Sequence, residues 1–337
     1  MHSSLIKVLF LLIVALVITI VGLRRFWNEP SKTRNLTRDL SISFFTTTFL
    51  LCTVEFFFAT FMIQSDGFGF TLSSRKWFDT YWKPINDAGY RDYEHDWKEN
   101  IVLVTGDSFA AGHGIKHIEQ RFASHLNTHL GADWTVAVVA QNGWGPKEEL
   151  EALREHTAKP NHIIVSYYPN DIHTAAEKHD LRSDSDTVPV TNPVLRPVVN
   201  RFYAANHLYW RMARRDQINS YWEFLEEAYN DPEIWDTHTD ELQAIVDYAE
   251  EQDASVSFVL WPLLFDVSKT QPMTDKVARW MTDNQIPHLD LSQHLSDRRA
   301  ASMVINTMDG HPNAELNKEV GQLIYDTLGP WEDTSTE

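Results

Sequence analysis

The sequence predicts an α/β domain built on a parallel sheet with helices on both faces, preceded by two membrane-spanning helices. Three observations predict it. From Asn100 onward, apolar runs of strand length alternate with stretches of helical period, and a βαβαβ order of that kind reads as parallel pairing. The first of those runs leaves through Gly106-Asp107-Ser108 and then a group of small residues, Ala110-Ala111-Gly112, the composition of a tight turn at a strand end. Two long apolar stretches stand ahead of the first strand.

Leu5 to Leu23 is apolar apart from Lys7 and Thr19, long enough to cross a bilayer at about 1.5 Å per residue. No small-x-small cleavage site follows it; the next residues are Arg24, Arg25, Phe26 and Trp27, which argues against a cleaved signal peptide. Leu40 to Ile63 is the second apolar stretch. The predicted spans, about 5–23 and 40–63, form a helical hairpin over residues 1–65. Its loop carries Arg24, Arg25, Lys32, Arg34 and Arg38, so the positive-inside rule puts that loop in the cytoplasm and the rest of the chain outside, against Arg75, Lys76 and Lys83 beyond the second span. The expected location is a bacterial inner membrane with the globular domain extracytoplasmic, that is, periplasmic. Glu55 inside the second span has to meet protein or water. Either a threonine or backbone carbonyl of the hairpin, or a separate membrane protein, fits that need.

Residues 66–99 read as an aromatic-rich connector. Then follow strand 101–105, helix 120–130, strand 134–140, helix 146–156 with a run of Glu near its start, and strand 162–167. A proline-punctuated loop over 180–197 and an aromatic helical stretch over 198–229 make a helical insertion at about 175–235. The alternation resumes with helix 237–252, strand 255–261, helix 273–284, strand 287–291 and a closing helix 314–328. Residues 100–330 form the domain, and 331–337 an acidic tail.

With 337 residues the chain can form one sizeable domain plus extras. Its 47 acidic against 29 basic residues give a net charge of −18, and the soluble part has no basic patch, which excludes nucleic acid as a partner. Cys52 is the one cysteine, so no intrachain disulfide exists.

Four clusters carry chemistry. Ser108 follows the first strand. Asn142-Gly143-Trp144-Gly145 follows the second, where Gly143 can bring a backbone N–H close to a ligand. Tyr168-Pro169-Asn170-Asp171 follows the third, where the Asn170 amide can donate to a developing oxyanion. Asp309-Gly310-His311-Pro312-Asn313 precedes the last helix and offers a base with an acidic neighbour. In a parallel sheet functional groups collect at the carboxyl ends of the strands, so a nucleophile, two oxyanion donors and a base converge on one edge. His113/His117 and His125/His129 have the four-residue spacing of helical zinc ligands, but Gly114 breaks the first pair and no His-Glu-x-x-His pattern occurs; the reading is no metal and no cofactor.

In these four blocks and their order the chain resembles the SGNH/GDSL hydrolases: Ser108 in GDSFAAGHG, Gly143 in QNGWG, Asn170 in YPND and His311 in DGHPN. The resemblance covers roughly Asn100 to Leu328. It implies a three-layer α/β/α sandwich of flavodoxin-like type and acyl transfer through a Ser108 acyl-enzyme, with His311 as base and Gly143, Asn170 and the Ser108 N–H on the oxyanion. The family's acid stands three residues before the histidine, where this chain has Met308. Asp309, two before, takes that role if Gly310 adopts a backbone conformation closed to other residues. The implied activity is hydrolysis of O-acyl esters, among them O-acetyl groups on envelope glycans. The alternatives are an O-acyltransferase working with a polytopic membrane partner near Glu55, and a non-catalytic binding subunit. The membrane lipid is met through the two helices.

Overall fold

The computed structural model describes residues 2–25, 31–183, 190, 192–329 and 331. They fall into two compact units. One comprises Met1–Gln64, Gly69–Trp77 and Val188–Ala213; the other Ser65–Phe68, Phe78–Thr187 and Arg214–Glu337. The expected insertion is thus divided between the two, and the expected connector belongs largely to the second.

In the first unit, α1 (His2–Arg25) and α2 (Ser31–Phe61) pack side by side. Gly22 permits the approach, since a Cβ there would stand 3.1 Å from Ser41 Oγ. Among the described residues, Asn35–Phe61 is long and apolar enough to cross a membrane, with mean hydropathy 1.7; Phe10–Arg24 is a shorter apolar helix. Among the described residues, the second of the two expected spans meets the length and composition of a membrane-crossing helix. The segment ahead of Trp77 forms most of α3 (Leu72–Tyr81). Glu55 finds its donors outside the hairpin, at the backbone N–H groups of Tyr203 and Ala204.

The second unit is the predicted parallel α/β layer structure. Its strands β1 (Asn100–Gly106), β2 (Trp134–Ala140), β3 (His162–Tyr167), β4 (Ser255–Leu260) and β5 (His288–Asp290) are ordered β2-β1-β3-β4-β5, all parallel. Side chains alternate across the sheet, so β1 feeds two cores. Ile101 and Leu103 join one, Val102 and Val104 the other. After the short α4 (Ser108–Ala111), helix α5 (Phe122–Leu130) covers the second face; α6 (Pro146–Glu155), α7 (His173–Lys178), the later part of α9 (Tyr203–Asn230), α10 (Pro232–Glu251) and α11 (Val267–Asp283) cover the first. The four-residue α8 (Arg196–Val199) lies in the first unit. After α12 (Ser292–Leu295), a two-stranded antiparallel ribbon, β6 (Val304–Asn306) and β7 (Asp309–Pro312), precedes α13 (Ala314–Leu328), which joins α5 on the second face. The expected acidic tail lies outside the described residues except Trp331, which stacks on His162 at 4.0 Å.

This strand order reverses direction between β1 and β3, and the carboxyl ends there open a crevice. β1 leaves through Gly106, whose φ of +151° few side chains adopt and where a Cβ would meet Ser166 Cβ at 2.8 Å and its carbonyl oxygen at 2.9 Å. Gly106→Ala therefore strains both backbone and packing. The expected loss is about 1–3 kcal/mol from the backbone with a similar overpacking contribution of about 1–3 kcal/mol, read as a lowered midpoint in urea unfolding of the detergent-solubilised chain.

Candidate active site

Ser108 stands at the crevice because its neighbours fix the turn. Asp107 caps α4, its Oδ1 accepting the Phe109 N–H at 2.8 Å. Gly112 ends α4 at φ +76°, and a Cβ there would lie 2.6 Å from the Arg121 stem. Glycine at 112 is thus required by buried arginines. Arg91 and Arg121 are both almost wholly buried. Arg91 donates to the carbonyls of Gly112, of Ile115 at 2.6 Å and of Tyr81 at 3.1 Å. Arg121 donates to the Arg91 carbonyl at 2.6 Å and to Asp92 at 2.8 Å. Burial, with Arg121 nearby, pushes the Arg91 guanidinium down to about 9.

The ribbon carries Asp309 and His311 on β7. His311 Nε2 lies 2.7 Å from Ser108 Oγ, and its Nδ1 lies 2.6 Å from Asp309 Oδ1, which also accepts the His311 backbone N–H at 3.0 Å. Residues two apart on a strand face the same side, so the spacing needs no unusual backbone. This corrects the expectation for Gly310. Its φ is not in the left-handed region. The glycine is needed for space, because a Cβ would press on the Phe265 ring at 2.8 Å. Burial alone would raise the Asp309 carboxyl, but the charge and hydrogen bond of His311 outweigh it and hold Asp309 well below the usual carboxylate range.

Behind His311 stands a residue the sequence did not single out for this site. The His113 ring stacks on His311 at 4.4 Å with 11° between planes, and its Nε2 meets Ser65 Oγ at 2.7 Å. Burial and the neighbouring His311 push His113 down to about 4, which favours its uncharged form against the His311 ring. Asn306 Nδ2 donates to the Ser65 carbonyl at 2.9 Å, and Gly67 lies against Asp309. No sequence pattern ties Ser65 to His113; only the stretch's position just past the apolar helix marks it. His113, Asp309 and His311 offer ligand atoms within 4.8 Å of one another. Both His311 nitrogens are already engaged, however, so a metal there would have to break the Asp309–His311–Ser108 line. His117 precedes a short 3-10 turn, Ile118–Gln120, and shares no helix with His113.

On the other side of Ser108, Asn170 sits in a 3-10 turn, Pro169–Ile172, just past β3. Its Nδ2 donates to Asp107 Oδ2 at 3.3 Å, the same oxygen that accepts from Ser108 Oγ at 3.3 Å. Ser108, His311, Asp309 and Asn170 thus form one hydrogen-bonded chain. Gly143 does not join that chain among the described hydrogen bonds. It lies exposed in the β2–α6 turn at φ +77°, while its neighbour Asn142 interacts with the His113 side chain.

Asp107 is one of three buried carboxyls here, with Glu149 and Asp171. Burial raises all three, Glu149 and Asp171 well above the usual range; Asp107 raises Glu149 further, and Glu149 and Asp107 both raise Asp171. Glu149 belongs to the glutamate run at the start of α6, and the signal for its burial was its place four residues before the core residue Leu153.

No family model and no curated protein matches the chain. Similar solved structures include a protein from Desulfitobacterium hafniense assigned to the lipolytic G-D-S-L family, at 14% identity and TM-score 0.44, covering 68% of this chain and 99% of that one. A carbohydrate acetylesterase family member from Sinorhizobium meliloti aligns at 15% identity and TM-score 0.39, covering 68% and 100%. The M. smegmatis aryl esterase aligns at 12% and 0.40, covering 68% and 98%.

A carboxyl whose folded pKa is raised contributes stability that is complete below its unfolded value, near 4.3 for Glu, and lost as pH rises through the folded value. Glu149→Gln removes one such group. Melting temperature measured from pH 5 to pH 8 is expected to fall less steeply in the variant than in the parent; equal slopes would show that Glu149 ionises freely in the fold.

Proposed function

We propose that the chain is a membrane-anchored serine ester hydrolase of the SGNH type, acting on O-acyl and especially O-acetyl esters. One observation carries the reading: the unbroken line from Ser108 Oγ through His311 to Asp309, at 2.7 and 2.6 Å, at the switch point of a parallel sheet. In this reading His311 removes the Ser108 proton as Oγ attacks the ester carbonyl. The oxyanion is met by the Ser108 and Gly143 N–H groups and by Asn170, which Asp107 holds in place. His311 then protonates the leaving alcohol, and the acyl group passes to water activated by the same histidine. Asp309 holds the imidazole in orientation and balances its charge. Transfer to a sugar hydroxyl runs through the same acyl-enzyme and makes the chain an O-acyltransferase, whereas the intact line weighs against a purely binding role. The anchor is Asn35–Phe61, and the basic residues ahead of it favour a sheet unit outside the cytoplasm.

Ser108→Ala is expected to abolish hydrolysis of short-chain aryl esters and acetylated glycans with an unchanged circular-dichroism spectrum; near-normal turnover would end this mechanism. Asp309→Ala is expected to lower turnover on the order of 10⁴-fold, and full activity with a lower melting temperature would leave a Ser–His dyad. Offering the acyl donor with water or with glycan as acceptor decides between hydrolysis and transfer. A reporter active only outside the cytoplasm, fused after Glu337, is expected to be active, and a silent fusion beside an active cytoplasmic reporter reverses the topology.

A further inference from the structure

The chain has 47 acidic residues, yet Val188–Ala213 and Gly69–Trp77 hold none. Both segments belong to the unit that contains the N-terminal helices. They carry instead Arg75, Lys76, Arg196, Arg201 and Arg211. The same stretch bares apolar side chains: Val194 is 77% exposed, Leu208 57% and Met212 79%. On α9 the division is by face. Asn206, His207 and Trp210 are buried, with Asn206 Oδ1 accepting the Leu72 N–H at 2.8 Å, His207 against Phe58 at 5.2 Å and Trp210 stacked on Phe70 at 4.9 Å. Leu208, Arg211 and Met212 share the opposite face, at the spacing of helical neighbours. An apolar face bordered by arginines and free of acids is the composition of an interfacial element.

Its attachment to the anchor identifies what covers it. The Glu55 carboxylate accepts the Tyr203 and Ala204 N–H groups at 2.8 and 3.0 Å, at the start of α9, where the helix dipole favours an anion. Lys76 Nζ donates to the Ala59 carbonyl at 2.6 Å, and Ser73 Oγ donates to the Met62 carbonyl. All four bonds lie in the last turns of α2 or just past it. Glu55 stands six residues before Phe61, about 9 Å of helix rise, so the start of α9 is held at the depth where a spanning helix passes from hydrocarbon into headgroups. We infer that Val194–Met212 lies on the bilayer surface at the carboxyl end of the span, with Leu208 and Met212 in the acyl boundary and Arg196, Arg201 and Arg211 on anionic lipid headgroups. The inference rests on the reading that Asn35–Phe61 crosses the membrane.

The test uses the full chain carrying Cys52→Ser, in nanodiscs of anionic lipid, with a single environment-sensitive fluorophore at Leu208→Cys, Met212→Cys, Phe49→Cys or Glu251→Cys. Labels at 208 and 212 are expected to emit to the blue, lose most intensity to lipid spin-labelled near the headgroup and resist aqueous iodide, while the label at 251, on α10, does the reverse. If 49 is quenched by lipid but 208 and 212 behave like 251, the surface assignment falls while the span stands. If 208 and 212 are shielded from both quenchers, protein covers the face and the assignment also falls. If the label at 49 is itself open to iodide, the span fails and takes the inference with it.

Discussion

Asp309 is a carboxylate with no access to water, and the charge and hydrogen bond of His311 do most to hold it in its ionised form in the fold. A buried charge without compensation costs several kcal/mol, so the Asp309–His311 pair sets the terms for what surrounds it. It requires a strand, because strand geometry brings residues two apart onto one side. It requires a glycine between them, because Phe265 fills the space where a side chain would stand. It also requires a neutral neighbour, and buried His113 supplies one, stacked on the His311 ring.

The two sides of Ser108 are electrostatically opposite. On the His311 side, a carboxylate is held ionised by an adjacent imidazole. On the Asn170 side, Asp107, Glu149 and Asp171 crowd together in a dry interior, and burial with mutual repulsion drives them toward the protonated form. Carboxyls pushed apart in this way take different roles on one scaffold. The ionised one favours positive charge on the histidine. The raised cluster limits how much negative charge stands beside Ser108.

The legible parts of the chain were those where burial writes a simple pattern. The three strands β1, β2 and β3 are apolar runs because both sheet faces are covered, and their ends fell within a residue of the expected ones. Ser108 and Asn170 were legible because each follows such a run, and His311 because it stands just ahead of the Asn313-capped α13. The ribbon bearing His311 was not foreseen, since strands of three and four residues, Val304–Asn306 and Asp309–Pro312, are too short to show a period. Helix α11 begins at Val267, six residues before the expected Met273, because Pro272 reads as a boundary while packing of Val267 and Met273 overrides it. Ser65, His113, Arg91 and Arg121 were out of reach for another reason. Their partners lie tens of residues away, and nothing local announces them.

Ser65 has a further consequence, for how the chain can be shortened. The strand–helix alternation begins at Asn100, and cutting there keeps Ser108, Asn170, Asp309 and His311. Such a cut discards Ser65, the oxygen on His113, and Gly67, which lies against Asp309. It discards Arg91, which gathers the carbonyls behind Ser108, and Asp92, whose carboxylate receives Arg121 and the Val138 N–H at 2.7 Å. The smallest portable piece with an intact site therefore starts at Ser65, four residues beyond the last residue of α2.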